Sequence, residues 1–369
     1  MSKSRPDILL AIVIFLMSLF GIVMISSSSI VVAQEQHGSN YYYVGHQLIS
    51  LVIGLILMIV TYFIDYRYWK KISLTLFLLT LVLLIGVFIP GIGREYGGAH
   101  RWIGLGNNVF QPSELVKVTF IIYLASWLER KGKDVSHLVF GFIPFAILMI
   151  ILGFLIMSEP DLGTLSVIII TAVVTFYVAG ARYTHLAIGG VSLLVLLGIL
   201  IKIAPYRMQR FLVFLNPTEQ TTGAAYHINQ ALIAIGSGGW WGLGFGNSKQ
   251  KQLYLPQASS DSIFAIIAEE LGYLRSTLIL GVYVFIAYRG YKIVRFAPDN
   301  FSKYLATGIT TWIVAQAFIN IAAMLGVIPL TGVPLPFISY GGSSIIVTLM
   351  AVGILLNISK YSNRERGLK

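Results

Sequence analysis

The feature that most constrains this chain is a series of ten apolar stretches, each long enough to cross a lipid bilayer. A transmembrane α-helix needs about 20 predominantly apolar residues. The stretches cover about 8–32, 46–64, 72–90, 112–128, 138–157, 162–180, 186–204, 262–288, 304–327 and 342–358. Hydrophobic residues make up 56% of the chain, above the roughly 45–50% typical of soluble domains. We predict an all-α membrane protein with ten transmembrane helices and a single polytopic membrane domain over residues 1–369.

Basic residues are distributed unevenly between the two sides of this predicted domain. The termini and the even-numbered loops hold 17 of the 26 Lys and Arg residues, but only 6 of the 15 acids. Loops rich in Lys and Arg stay on the cytoplasmic side of a membrane, so both the N- and C-termini are predicted to be cytoplasmic. The net charge of +11 therefore reflects membrane orientation, and it gives no support to a nucleic-acid partner.

Two predicted outer loops are long, at residues 91–111 and 205–261, and the second is the large extracellular loop between helices 7 and 8. Within it, AAYHINQALIAIGSGGWWGLGFGN (224–247) predicts a short helix in the outer interface followed by a glycine-rich turn, although plain packing of a surface loop remains an alternative. No GxxxxGK[ST] or GxGxxG pattern occurs, so no nucleotide cofactor is predicted. Cysteine is absent, which excludes disulfides and thiolate metal sites.

Ionisable residues also occur near the start of the fourth apolar stretch. In QPSELVK (111–117), Pro112 is predicted to open a helix, and Glu114 and Lys117 then share one face of it. The two side chains could simply neutralise each other, or they could line a cavity that faces outward. Because charges inside a membrane usually face a cavity or a partner, the second hypothesis is favoured.

Three further acids lie at predicted outer helix junctions. Glu159 and Asp161 belong to EPDLGT (159–164), where simple solvation and a functional role are equally open. Asp261 begins a later apolar stretch, where it could cap a helix or act as a general base. The cations predicted to share its side are Arg94, Arg101, Arg207, Arg210, Lys249 and Lys251. One carboxylate among several cations suits an anionic, lipid-carried substrate whose hydroxyl group is deprotonated.

Several motifs together resemble those of a known family. They are RWIGLG (101–106), FQPSELVK (110–117), EPDLGT (159–164), AIGSGGWWGLGFGNSKQK (234–251), YLP and FAIIAEELG (254–256 and 264–272) and PLTGVPLPFISYGGSS (329–344). In this order they resemble the SEDS proteins, the FtsW/RodA/SpoVE group, over nearly the whole chain. GNSKQK followed by YLP, together with LPFISYGGSS, is more similar to the FtsW division branch than to the RodA elongation branch.

The resemblance implies a peptidoglycan glycosyltransferase that polymerises lipid II at the outer face of the bacterial cytoplasmic (inner) membrane, for cell division or cell shape. It places the family's essential aspartate at Asp261, as the general base on the acceptor sugar 4-hydroxyl in an inverting hexosyl transfer. The residues expected to bind the substrate are the matching polar positions and two loop cations, namely Arg101, Glu114, Lys117, Lys249 and Arg210.

The resemblance also implies partners and an optional cofactor. Arg101 and Lys117 would stabilise the departing diphosphate, and a divalent cation, Mg or Mn, could assist them. The implied partners are lipid II, the glycan linked to undecaprenyl pyrophosphate, membrane lipids, and a class B penicillin-binding protein, which is a single-span transpeptidase.

This chain departs from the family pattern in two places. Family members often have Glu-x-His-Thr-Asp-Phe around the aspartate, whereas Gln257 and Ser259 occupy the Glu and His positions here, so any helper role of those two residues is absent or taken elsewhere. Arg275 replaces an expected small or apolar residue, and it is predicted to pair with Glu269 or Glu270. For these two glutamates we expect only a supporting or helix-packing role.

A lipid II flippase is the alternative function. A transporter should carry polar residues near the membrane midplane and on both sides of it, whereas Glu114, Lys117 and Asp261 are all predicted towards the outer side. Arg275 alone favours transport. A non-catalytic scaffold that recruits a transpeptidase needs no charged cavity, and this third hypothesis explains the motifs least well.

Overall fold

The computed structural model describes residues 6–96, 99–105, 108–203, 205–215 and 223–362. Its helices are α1 (Ile8–His37), α2 (Tyr42–Phe63), α3 (Tyr66–Gly86), α4 (Pro112–Lys131), α5 (Ile143–Ser158), α6 (Leu162–Val178), α7 (Tyr183–Ile203), α8 (Pro205–Leu215), α9 (Ala224–Ser237), α10 (Ile263–Arg295), α11 (Asn300–Met324) and α12 (Gly342–Lys360). Three short strands are β1 (Gly93–Tyr96), β2 (Ala99–Leu105) and β3 (Asn108–Phe110).

Each of the ten predicted apolar stretches coincides with one helix, namely α1 to α7 and α10 to α12. Within the described residues, seven spans are long and apolar enough to cross a membrane: α1, α2, α3, α5 together with the helical turn before it (Leu138–Ser158), α10, α11 and α12. Helix α6 is apolar but shorter, and α4 carries five ionisable residues. The multi-pass helical architecture is therefore confirmed, while the count of ten crossings stays a prediction.

Helices α11 and α12 form the centre of the molecule. In the most apolar 18 residues of each of these helices, 78% of the residues are buried inside the molecule, whereas in α3 the share is 22%. Helix α12 packs against α2, and a Cβ atom on Gly353 would lie 2.2 Å from the carbonyl oxygen of Met58, so only glycine permits this approach. Helix α11 packs against α4, α6 and α10. Polar side chains on α11 are thereby brought next to three other helices.

The segment 91–111 is not a plain loop, so the all-α prediction is wrong here. Strands β1, β2 and β3 form an antiparallel sheet in chain order, with Arg94 paired to Trp102 and Gly104 paired to Val109. The sequence carried a signal that supports this result, because the dipeptides Gly-Gly and Gly-Asn between the strands are typical of hairpin turns. The sheet holds Arg101 on its central strand.

The large loop contains two helices between α7 and α10. The predicted helix is confirmed as α9, which packs against α10 and buries Ile228 and Ala231. Helix α8 was not predicted, because its first half (PYRMQR) is polar and its apolar run (FLVFL) is too short to cross a bilayer. The glycine-rich turn follows α9, as expected.

The glycine-rich turn inserts into a break in α10. Gly272 has φ of 82° and ψ of 174°, so α10 consists of two helical halves joined at a kink. A Cβ on Gly242 would lie 2.2 Å from the carbonyl oxygen of Glu270, which explains why glycine is required there. The amide of Gly244 donates to the same carbonyl oxygen at 3.0 Å. The turn thus supplies a hydrogen bond that the interrupted helix cannot make.

Asp7 connects the first helix to two of the last. Its side chain caps α1 by accepting a hydrogen bond from the amide of Leu10 at 3.1 Å. The same carboxylate pairs with Arg289 of α10, with 2.5 Å between Oδ1 and Nη2. Its backbone amide donates to the Ser359 hydroxyl of α12 at 3.0 Å. The start of α1 and the ends of α10 and α12 therefore meet on one side of the molecule.

Candidate functional site

Asp261 lies just before α10, in a partly exposed position. The N-cap residue of α10 is Ser262, so the hypothesis that Asp261 caps this helix is wrong. The carboxylate lies against Gly332, where a Cβ would be 3.4 Å from Oδ2. The backbone carbonyl of Asp261 accepts a hydrogen bond from Asn320 Nδ2 at 2.7 Å. The backbone before α10 is thereby fixed, and the residue as a whole is partly exposed.

The segment between α11 and α12 holds the neighbours of Asp261 in place. The amide of Tyr340 donates to the carbonyl of Ser259 at 2.9 Å, and the Ser339 hydroxyl donates to the carbonyl of Ser260 at 2.6 Å. Asn320 also donates to the carbonyl of Val333 at 2.7 Å. This explains the PLTGVPLPFISYGGSS motif in part, because its backbone and hydroxyl groups bind the residues that carry the aspartate.

Asn320 and its neighbour Gln316 are site residues that the sequence analysis missed. They lie one helical turn apart on α11 and are buried. The sequence did contain a signal for them, namely two amide residues inside a mainly apolar helix. Such side chains usually form hydrogen bonds with another helix or loop. Gln316 Nε2 donates to the carbonyl of Pro334 at 2.9 Å. Both amides therefore bind the segment that encloses Asp261.

Glu114 and Lys117 form a buried ion pair in α4, which begins at Pro112 as predicted. Lys117 Nζ lies 2.8 Å from Glu114 Oε1, and the two side chains are only 1% and 3% exposed. Lys117 Nζ also donates to Gln316 Oε1 at 2.8 Å, and the Trp312 indole donates to that oxygen at 2.8 Å. The pair neutralises itself, yet through Gln316 it is connected to the segment that encloses Asp261.

Arg101 donates hydrogen bonds to backbone carbonyls of the EPDLGT motif. In the described part of the chain it forms no salt bridge with an acid. Its Nε donates to the carbonyl of Glu159, and its Nη2 donates to the carbonyl of Pro160, both at 2.7 Å. Asp161 is the N-cap of α6 and accepts from the amide of Thr164 at 2.9 Å. Simple solvation of the two acids, one of the open alternatives, is wrong because Glu159 is 0% and Asp161 is 7% exposed.

Glu159 is the acid in this region with the clearest electrostatic perturbation. Burial and, to a smaller extent, the neighbouring Asp161 raise the pKa of its carboxyl group to about 8, while Arg101 and the Ser113 hydroxyl oppose the shift. The Ser113 hydroxyl is near enough to lower this pKa, but neither carboxyl oxygen makes a hydrogen bond of ordinary geometry with a described residue. The neutral acid is therefore the form that the folded state prefers at neutral pH.

We expect Glu159 to make the folded protein less stable as pH rises. Between its ordinary pKa of 4.5 and about 8, the folded state holds a proton that the unfolded state releases, so the free energy of unfolding falls across this window. Glu159→Gln stays neutral, and it should melt like wild type near pH 4.5 but at a higher temperature above pH 8. Melting curves of detergent-purified protein over this range measure the effect. Exposed Glu35→Gln is the control, and parallel pH slopes for wild type and Glu159→Gln would contradict the prediction.

Glu270 has a structural partner that the sequence analysis did not identify. Lys251 Nζ lies 2.9 Å from Glu270 Oε1, and both side chains are buried. The Ser27 hydroxyl of α1 donates to the same carboxylate at 2.7 Å. The predicted pairing with Arg275 is wrong, because Arg275 is exposed and donates to the carbonyl of Trp241 at 3.2 Å.

Glu269 binds the same loop with its side-chain carboxylate. It accepts from the Ser248 hydroxyl at 2.5 Å and from the amide of Lys249 at 3.0 Å. The Lys249 side chain remains exposed on the loop surface. The supporting role expected for the two glutamates is explained by these contacts. Together the two side chains bind the GNSKQK stretch to α10.

The structure leaves two expected features of the site untested, namely the role of Arg210 and a divalent cation. Arg210 belongs to α8, but its side chain lies outside the described residues. Among the described residues, no group of three or more His, Cys, Asp and Glu could hold a metal ion. The described side chains therefore do not form a cation site by themselves, and a divalent cation stays an expectation.

Comparison with sequence families and relatives gives a consistent result. The sequence profile of the FtsW/RodA/SpoVE family, described as cell cycle protein, matches residues 7–364. Stage V sporulation protein E of Bacillus subtilis is 41% identical over 98% of both chains. A probable peptidoglycan glycosyltransferase FtsW of Geobacter sulfurreducens is 39% identical over 96% of this chain and 95% of the relative.

Solved structures agree with these matches. A chain from work on the structural coordination of polymerization and crosslinking by a peptidoglycan synthase complex has a TM-score of 0.81 and 26% identity, over 97% of this chain and 99% of that one. The rod shape determining protein RodA of Thermus thermophilus has a TM-score of 0.72 and 26% identity, over 97% and 98%. Both similarities extend over nearly the full length of this multi-pass membrane protein.

Proposed function

Because this chain belongs to the FtsW/RodA/SpoVE family, we propose that it polymerises lipid II with Asp261 as its catalytic base. The chain is a peptidoglycan glycosyltransferase. The observation that carries the assignment of Asp261 is its placement: it does not cap α10, and its backbone is held by Asn320 while its side chain is partly exposed.

In the proposed reaction, the Asp261 carboxylate takes the proton from the 4-hydroxyl of the lipid II acceptor. The oxygen attacks the anomeric carbon of the growing strand with inversion, and the bond to undecaprenyl pyrophosphate breaks. Negative charge then develops on the diphosphate, where cationic donors lower the barrier. Arg101 is one such donor, because its Nη1 makes no hydrogen bond among the described residues while its other nitrogens fix its position.

Lys117 acts in two ways in this proposal. In the observed arrangement it binds Gln316, which fixes the segment that encloses Asp261. Because Lys117 is buried, it can meet a diphosphate only when this network opens. Glu114 is the buried counter-ion of the lysine. Lys249, with an exposed side chain, is placed to attract the anionic substrate from the surface of the loop.

We expect Lys117→Ala and Glu114→Ala to depress polymerisation per folded molecule. Lys117→Ala removes the hydrogen bond from α4 to Gln316, and Glu114→Ala leaves the buried Lys117 without its counter-ion. The measurement is glycan formed from lipid II by protein that inserts and remains monodisperse. Gln316→Ala, which interrupts the same connection without removing a charge, should also lower activity. Normal activity per folded molecule in all three variants would assign the pair to folding alone.

The proposed orientation puts Asp261 on the outer face of the bacterial cytoplasmic membrane, with ten crossings and both termini inside. Cysteine labelling of intact spheroplasts tests it, since the chain has no natural Cys. A cysteine at Asn247, in the exposed GNSKQK stretch, should react with an impermeant reagent, and one at exposed Lys133 should not. The reverse pattern would overturn both the orientation and the mechanism.

The proposed partner is a class B penicillin-binding protein, in keeping with the similarity to a chain of a peptidoglycan synthase complex. Polymerisation of lipid II by the purified protein, with and without such a transpeptidase, tests activity and partner together. Glycan formation is expected in at least the paired reaction. Transport of lipid II without any polymer would favour the flippase, although Arg275, which supported that function, binds a carbonyl of the outer glycine-rich turn.

A further inference from the structure

A cavity of about 610 Å³ opens on the side of the molecule opposite Asp261. It lies where three helix ends meet: the first turns of α3, the last turn of α4, and the start of α11. Its floor is formed by side chains that are almost completely buried, including Tyr66 and Phe301, both at most 1% exposed. The cavity is therefore part of the packed helix bundle, and it is more than a gap between mobile surface side chains.

The rim of this cavity is basic. Its charged lining residues are Arg67, Lys70, Lys71, Arg130, Glu129 and Asp299. The two acids are already engaged, because Glu129 lies 2.6 Å from Lys70 Nζ and Asp299 accepts from the Tyr66 hydroxyl at 2.5 Å. Lys71 and Arg130 are exposed, and neither has an acidic partner within 4 Å among the described residues. The cavity thus offers two unneutralised cations to an anion.

An apolar track leads from these cations into the membrane region. On α3, the exposed residues Leu74, Leu78 and Val82 follow Lys70 at intervals of four, so they form one continuous stripe on the helix. Leu74 itself lines the cavity. A ligand that fits both parts needs an anionic head at the level of the cations and a hydrocarbon chain that lies along the stripe.

We propose that this cavity binds the headgroup of an anionic phospholipid, whose acyl chain lies along the Leu74, Leu78 and Val82 stripe of α3. The lipid phosphate is bound by Lys71 and Arg130, while Lys70 and Glu129 close the rim beside it. Basic pockets between the ends of transmembrane helices are suited to such headgroups. A soluble phosphate would match the cations but would leave the apolar stripe unused. The site lies away from Asp261, and it is independent of the proposed reaction.

Native mass spectrometry of the full detergent-purified chain tests this site. The probes are phosphatidylglycerol, phosphatidylcholine with the same acyl chains, and glycerol 3-phosphate as a headgroup without chains. Wild type should bind phosphatidylglycerol more tightly than phosphatidylcholine. Lys71→Gln with Arg130→Gln should weaken phosphatidylglycerol binding by about 30-fold, since each basic residue near an anionic lipid contributes about fivefold. Glycerol 3-phosphate at equal concentration should not displace the lipid.

A matched control removes the same charge elsewhere on this face. Lys133→Gln with Arg182→Gln neutralises two exposed cations that do not line the cavity, and its affinity should stay within about twofold of wild type. Equal binding of the two lipids, equal loss in both double variants, or displacement by glycerol 3-phosphate would each overturn the proposal. Should the Lys71 and Arg130 double variant not fold, each single variant should still show about a fivefold loss, and no loss in either would overturn the proposal as well.

Discussion

Asp261→Asn should leave the protein folded and almost without glycan polymerisation. The asparagine amide cannot accept a proton at neutral pH, and loss of a general base typically lowers a rate by about 10²- to 10⁴-fold. The fold should be unaffected, since Ser262 occupies the N-cap of α10 and Asn320 binds the backbone carbonyl of residue 261 rather than its side chain. The measurement is polymer formed from lipid II at equal folded concentration, together with the melting temperature.

The matched control for this variant is Glu35→Gln, which replaces another exposed acid with its amide. It should polymerise lipid II at the wild-type rate. Lipid II binding should persist in Asp261→Asn, because the change removes a proton acceptor rather than the cations. Substantial polymer from Asp261→Asn would end the assignment of the base, even if every other feature of the proposed function held.

Lys251→Met should strongly destabilise the protein. It leaves Glu270 buried at 0% exposure without its cation, and breaking a buried ion pair on one side typically costs about 3–5 kcal/mol. The Ser27 hydroxyl would still bind the carboxylate, but it cannot balance the charge. A large fall in melting temperature is expected, with earlier proteolysis of the stretch 246–251.

Two further variants make this prediction specific. Lys249→Met changes a lysine two residues away whose side chain is exposed, so its melting temperature should stay near that of wild type. Lys251→Met combined with Glu270→Gln removes both charges, and it should recover much of the lost stability. If the double variant melts no higher than Lys251→Met, the ion pair is not the source of the effect.

Local sequence patterns predicted the helices of this protein but not the contacts between distant residues. Local hydrophobic periodicity and helix-breaking residues predicted the ten apolar stretches, the helix start at Pro112 and the helix α9. The structure has a helix at each of these places. The partner of Glu270 could not be predicted in this way. Ser27 and Glu270 are 243 residues apart, and periodicity describes only neighbours on the same helix.

The same limit applied to the candidate site. Asp261 was identified from its residue type and neighbourhood, but Asn320, which fixes its backbone, lies 59 residues further along the chain. The burial of Glu159 was equally hidden, because a loop-edge acid looks solvated until the packing around it is known. Motif order and residue type thus locate the candidate site, whereas the hydrogen bonds that hold it depend on how distant helices pack.

The position of Asp7 has a consequence for biogenesis. Its partner Arg289 is 282 residues away, so at a synthesis rate of about 5–20 residues per second the aspartate waits roughly 15–55 s for its cation. Until α10 has been synthesised, the Asp7 carboxylate lacks the guanidinium group of Arg289. A chain that stalls or is truncated before residue 289 would therefore lack the ion pair that joins the start of α1 to α10.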